Sequence, residues 1–98
     1  MAEGLVRNIG CSNIGTSMLR QVLQYCKVKP AVLQVEIHPF NTCEKLIRFA
    51  RESEVQVMGY SNLGAISYEE LGMTNASDSC INLPLVKELA EKHKKTPA

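Results

Sequence analysis

No sign of charge predominates in this chain. Its 98 residues carry 11 basic and 10 acidic side chains interspersed, a formal net charge of +1. That leaves no electrostatic footprint for nucleic acid or for an anionic membrane surface. The basic run Lys92, His93, Lys94, Lys95 is the only local excess and reads as the solvated, dipole-complementing end of a helix. No apolar run approaches the roughly 20 residues needed to span a bilayer, and no signal peptide is visible. The four cysteines, Cys11, Cys26, Cys43 and Cys80, lie far apart with no C-x-x-C spacing and no metal-ligand rhythm. They read as reduced thiols in a cytoplasmic protein. Without a secretory signal, the glycosylation-like triplet Asn75, Ala76, Ser77 reads as a chance match. The length admits at most one domain, near the size at which a single core only just repays the entropy of ordering the backbone.

What the chain does contain is organised around Val32 to Pro39. Alternation there sends Leu33, Val35 and Ile37 to one face of a strand and Gln34, Glu36 and His38 to the other, and Pro39 closes the run for want of an N–H. Two further β-rich runs, Leu5 to Cys11 and Val55 to Tyr60, are joined to it through segments of helical periodicity. This is the strand-helix-strand order of a parallel sheet. Polar residues collect at the carboxyl ends of these runs: Ser12 and Asn13, Gln34 and Glu36, Tyr60 and Ser61. Ligands bind at that edge in parallel α/β folds.

Met1 to Gly4 reads as the tail of a helix closed by glycine. A helix is predicted from Thr16 or Ser17, either of which can cap it, with Met18, Leu19, Val22, Leu23 and Cys26 as its apolar stripe. Thr42 is predicted to cap a second helix carrying Leu46, Ile47, Phe49 and Ala50. From Ala65 to about Ile81 the composition shifts to Gly, Ser, Asn and Glu, a long loop of the kind that forms lids or binding loops or else is disordered. Asn82 can cap a last helix with Pro84 in its first turn and Leu85, Val86, Leu89 and Ala90 on its apolar face. Thr96, Pro97 and Ala98 then read as the start of another helix, so both ends look cut.

Sheet physics points the same way. Right-handed crossovers put both helices on one side of three parallel strands, leaving the opposite face and both edges bare. A closed barrel covers both at once. The predicted fold is therefore α/β, a partial (β/α)8 TIM barrel with three consecutive parallel strands and intervening helices.

The segments Gly4 to Asn13, Lys29 to Pro39 and Tyr60 to Gly64 resemble, in order, the fifth, sixth and seventh barrel strands of the aldo-keto reductases, and the resemblance covers essentially the whole chain. Lys29 to Glu36 and Ser67-Tyr68-Glu69-Glu70 resemble the branch acting on sugars, such as xylose reductases and sorbitol-6-phosphate dehydrogenases. The resemblance implies an NADPH-dependent enzyme that reduces the carbonyl of a small-molecule aldehyde or aldose. It implies that Ser12, Asn13 and Gln34 hydrogen-bond the nicotinamide carboxamide, that Tyr60 stacks on the ring, and that Ser61 and Leu63 belong to the stretch holding the pyrophosphate. An amide needs donors and an acceptor at fixed angles, and an aromatic plane can hold one ring face toward a substrate. Ala65 stands where many relatives have serine, and the loop after Gly64 would be the flap over the cofactor. The family's tyrosine proton donor and its lysine, aspartate and histidine partners lie on earlier strands, so the chain alone is expected to be inactive. Tyr25 and Tyr68 do not fill that role, falling in a helix and in the flap.

The residues by themselves also admit plainer roles. Gln34 and Glu36 can be satisfied polar groups of a barrel interior, Tyr60 an ordinary packed aromatic, and Ser12-Asn13 a turn and cap. Glu36 and His38 share a face, but no third metal ligand stands at a sensible spacing. Two other functions stay open: a non-catalytic cofactor-binding or regulatory subunit on the same scaffold, and a free-standing interaction domain. No oligomeric state is assigned.

Overall fold

A computed structural model of the chain describes residues 3–64 and 66–98, without the side chains of Ile66 and Ser67. The element order is β1 (Gly10–Ser12), α1 (Thr16–Tyr25), β2 (Val32–Glu36), α2 (Glu44–Glu52), β3 (Gln56–Tyr60), α3 (Ile66–Glu70), 3-10 turns at Ala76–Asp78 and Cys80–Asn82, and α4 (Pro84–His93). Contacts divide the chain into two compact units, Met1–Glu36 with Cys43–Tyr60, and Ile37–Thr42 with Ser61–Ala98.

The first unit holds a parallel sheet in the order β1-β2-β3. In register, Cys11 lies beside Leu33 and Leu33 beside Val57; one residue on, Ser12, Gln34 and Met58 form a row. Paired residues point to the same side and successive residues to opposite sides. Burial follows: Leu33 is 0% exposed, whereas Gln34 is exposed and Met58 is 49% exposed. Helix α2 packs on β3 and α1 packs beside α2. The core on the covered side is Leu19, Leu33, Val35, Ala50 and Val55. Between the helices, the Arg20 guanidinium lies 5.4 Å from the centroid of the Phe49 ring. Lys29 Nζ donates to Glu54 Oε2 at 2.9 Å and to the Ser53 carbonyl at 3.0 Å, tying the turn before β2 to the turn before β3. That bond, with the ammonium charge behind it, lowers the pKa of the Glu54 carboxyl.

The strands are shorter than their sequence runs. The Ala31 N–H donates to the Ile9 carbonyl at 2.8 Å, but Leu5 and Val6, 80% and 49% exposed, lie outside the strand. Pro30, in the turn before β2, has no N–H to extend the ladder further upstream. Strand β2 stops at Glu36 rather than Pro39 because His38 and Asn41 exchange backbone hydrogen bonds at 3.2 and 2.8 Å and turn the chain. Strand β3 starts one residue late because the Val55 N–H is engaged by the Ala50 carbonyl at 2.8 Å.

The helices have the expected positions but not the expected caps. Gly15 is the N-cap of α1, with Thr16 already helical, and Cys43 rather than Thr42 is the N-cap of α2, at φ 49°. Met18, placed by periodicity on the apolar stripe, is 54% exposed.

In the second unit, the region expected to be a plain loop forms α3 and the two 3-10 turns. Asn82 does not cap α4: its Nδ2 donates to the Ala76 carbonyl at 2.9 Å, and Leu83 is the N-cap with Pro84 in the first turn. Helix α4 contacts the Cys80–Asn82 turn. Cys80 and Ala90 are buried there, while Leu85 and Leu89, expected on the apolar face, are 64% and 46% exposed. No structured helix begins at residues 96–98.

Candidate functional site

On the uncovered face, Ser12 and Tyr60 lie at the carboxyl ends of β1 and β3 and Gln34 in the middle of β2, and a fourth predicted site residue is brought to them by a backbone turn. Ser12 ends β1 and is paired with Gln34. Gln34 is paired with Met58, and Tyr60, two residues beyond Met58, lies on the same face beside Glu36. Asn13 sits just past β1 at φ 54°, a left-handed conformation that asparagine tolerates better than most residues. That turn keeps the Asn13 N–H on the Gln34 carbonyl at 2.9 Å.

One hydrogen bond ties the edge together. Tyr60 Oη donates to Asn13 Oδ1 at 2.8 Å, joining residues 47 apart in sequence. Strands β1 and β3 flank β2, so the two side chains meet across the end of the middle strand, a gap of about two strand spacings, roughly 9–10 Å. The bond holds the phenol ring in place and occupies the Asn13 oxygen, leaving Nδ2 to donate outward. Gln34 Nε2 donates to Met58 Sδ at 3.1 Å. Ser12, Asn13 and Gln34 are exposed and Tyr60 is half-buried. The cluster thus offers an amide donor, an amide acceptor, a hydroxyl and an aromatic ring on one open face. A planar carboxamide-bearing heterocycle needs that set, so the residues fit such a group.

Ser61 and Leu63 belong to the second unit. Ser61 has φ 51°, and its carbonyl accepts the Gly64 N–H at 2.8 Å, closing a tight turn. Within that unit Asn62 Nδ2 donates to the Ile37 carbonyl at 2.8 Å, and the Leu63 carbonyl accepts the Cys80 N–H at 3.1 Å. The Leu63 side chain is 44% exposed. Ala65 lies outside the described residues.

His38 is held in its turn, its Nδ1 accepting the Phe40 N–H at 3.2 Å. Among the described residues no group of three or more His, Cys, Asp or Glu side chains could hold a metal ion, and no helix is long and apolar enough to cross a membrane. Met58, which touches Gln34, is the neighbour of this cluster that the sequence did not single out. Its signal was present in the alternation of β3, two residues before Tyr60, but its partner could be known only from the register.

The pattern defining the aldo/keto reductase family matches residues 1–98. The chain is 41% identical over 98 residues to a probable NAD(P)H-dependent D-xylose reductase of Emericella nidulans, covering 98% of this chain and 31% of that protein. It is 37% identical to an NADH-dependent D-xylose reductase of Candida parapsilosis, covering 98% of this chain and 30% of that protein. The aldose reductase of Schistosoma japonicum superposes with a TM-score of 0.77 at 35% identity, over 98% of this chain and 27% of that one. The α/β arrangement of three parallel strands and helices matches part of that reductase's TIM barrel. The chain belongs to the aldo/keto reductase family. It is similar to xylose and aldose reductases and spans about a third of the length of the curated relatives it matches.

Proposed function

We infer that residues 1–98 are part of a single aldo-keto reductase barrel domain, its fifth to seventh strands, in an NADPH-dependent enzyme that reduces an aldehyde or aldose carbonyl to the alcohol. The observation that carries the reading is the Tyr60–Asn13 hydrogen bond, which fixes a ring and an amide over the row of Ser12 and Gln34. In this reading Asn13 Nδ2 donates to the carboxamide oxygen of the nicotinamide, Gln34 accepts from its nitrogen, Ser12 adds a hydroxyl, and the Tyr60 ring lies against the heterocycle. Ser61, Leu63 and the backbone after them hold the pyrophosphate. When bound, the cofactor supplies the hydride. The chain orients it and contributes no catalytic residue, because the proton donor and its partners come from other strands of the barrel. The relatives named as NAD(P)H-dependent and NADH-dependent reductases support a nicotinamide cofactor; the preference for NADPH comes from the family resemblance. A cytoplasmic setting accords with four unbridged cysteines.

Dinucleotide titration of the full-length protein tests this, followed by the quenching of reduced-nicotinamide fluorescence. Tyr60→Ala and Gln34→Ala should each weaken NADPH binding about tenfold or more, since each removes a stacked ring or a directional hydrogen bond from a preorganised site. Unchanged affinity in both variants would remove these residues from the cradle. Tight binding without turnover of any aldehyde would point instead to a non-catalytic cofactor-binding subunit.

A further inference from the structure

The contact between Gln34 and Met58 makes a chemical choice. A primary amide can turn either end toward a neighbour, and on an open sheet face water serves both ends. A thioether sulfur can only accept a hydrogen bond. With Nε2 3.1 Å from Met58 Sδ, the carbonyl end of Gln34 is the end turned away. The two residues are register partners on β2 and β3, so the contact is a cross-strand pair built into the sheet. Asn13 is oriented in the complementary sense, since its oxygen takes the Tyr60 hydroxyl proton at 2.8 Å and its nitrogen is turned away. The edge therefore presents one donor from beside β1 and one acceptor from β2, and the acceptor is set by an acceptor-only neighbour on β3.

We propose that Met58 is a positioning residue that fixes the polarity of Gln34, so that the site selects a ligand carrying an amide N–H donor over one of the same shape without it. The proposal rests on the nicotinamide-cradle reading and extends it to a residue outside that cradle. With methionine at this position Gln34 faces the ligand as an acceptor. With an apolar side chain there, either end of the amide can face it, and discrimination falls.

Full-length protein is titrated with NADPH and with the analogue in which an acetyl group replaces the carboxamide, keeping the carbonyl and losing the N–H donor. The wild type should prefer NADPH about tenfold, the scale of one well-placed hydrogen bond. Met58→Leu keeps the bulk and removes the acceptor; it should lower the preference to about threefold or less. In the Met58→Leu background, Gln34→Glu should restore the preference, because a carboxylate offers oxygen whichever way it turns. A packing role for Met58 would not be rescued in this way. An unchanged preference in Met58→Leu, a parallel loss for both ligands, or failure of the double variant to recover would each overturn the role of Met58 while leaving the cradle in place. Equal affinity of the wild type for both ligands would overturn the cradle reading itself. Circular dichroism checks that the variants fold; if Met58→Leu does not, Met58→Ala carries the same comparison.

Discussion

Gly64 stands at φ +82°, and a Cβ there would lie 2.7 Å from Cys80 Sγ and 3.0 Å from the Cys80 backbone nitrogen. The backbone conformation and the close approach each disfavour any side chain. Gly64→Ala should therefore cost about 2 kcal/mol or more in urea unfolding, with the turn after β3 displaced. Gly10 is constrained by space alone: a Cβ would meet the Val32 carbonyl oxygen at 2.7 Å. Gly10→Ala should cost about 1–3 kcal/mol by pushing β1 away from β2. Ser79 runs the other way. It is 2% exposed, and among the described residues its Oγ has no hydrogen-bond partner. Ser79→Ala removes an uncompensated buried hydroxyl and should be neutral or stabilising by up to about 1 kcal/mol, read from the same unfolding curves. The sequence shows Gly10 near the end of the first β-rich run, where a glycine permits close backbone approach, but it does not mark Gly64 in that way. It gave no sign of Ser79, because burial of a hydroxyl depends on what folds over it.

Among the elements, the segment from Ala65 to Ile81 departs furthest from its sequence reading. Its Gly, Ser, Asn and Glu composition suggests a loop, yet short-range hydrogen bonds organise residues 74–82. Asp78 Oδ2 accepts from Thr74 Oγ1 at 2.6 Å and from the Asn75 N–H at 3.2 Å. Those bonds, the Thr74 hydroxyl first, lower the Asp78 pKa below its ordinary 3.8. A carboxyl whose pKa is lower folded than unfolded adds stability above its unfolded value and loses it as pH falls through the folded value. Acidification from neutral pH to below the ordinary carboxylate range should thus loosen the 74–78 turn, seen as faster amide exchange at Asn75 and Asp78 after correction for intrinsic rates. Asp78→Asn should abolish that pH dependence, and persistence of it in the variant would assign it to another group. The strand-helix-strand order, by contrast, was legible from periodicity in α1, β2 and α2. The caps were not: Thr16, Thr42 and Asn82 are all good cap types, yet the N-caps are their neighbours Gly15 and Leu83, with extended backbone, and Cys43, in the left-handed region.

Taken whole, the first unit carries a sheet covered by helices on one side only. Leu33 is sealed while Gln34, Gln56 and Met58 on the other face are exposed. Among the described residues β1 and β3 each have one edge without a strand partner. Large apolar side chains elsewhere are also exposed, Leu5 at 80%, Tyr25 at 77% and Leu71 at 69%. Open edges and apolar surface favour pairing between chains. The 98-residue polypeptide expressed alone should therefore elute above its monomer mass of 10.9 kDa, increasingly so with concentration. Elution as a monomer at all concentrations would show that this face needs no cover. Mixed with NADPH and an aldose, the same polypeptide should consume no cofactor.

The sequence by itself determined the α/β class, the order of β1, α1, β2, α2, β3 and α4, the two faces of β2 and the polar character of the strand ends, because periodicity and turn chemistry act over a few neighbouring residues. Only the tertiary structure decided which residues stand opposite one another: Ser12 beside Gln34, Gln34 beside Met58, and Tyr60 reaching Asn13 across β2. Register is set by pairing between segments more than 20 residues apart, and a slip of one residue would turn every one of these side chains to the opposite face.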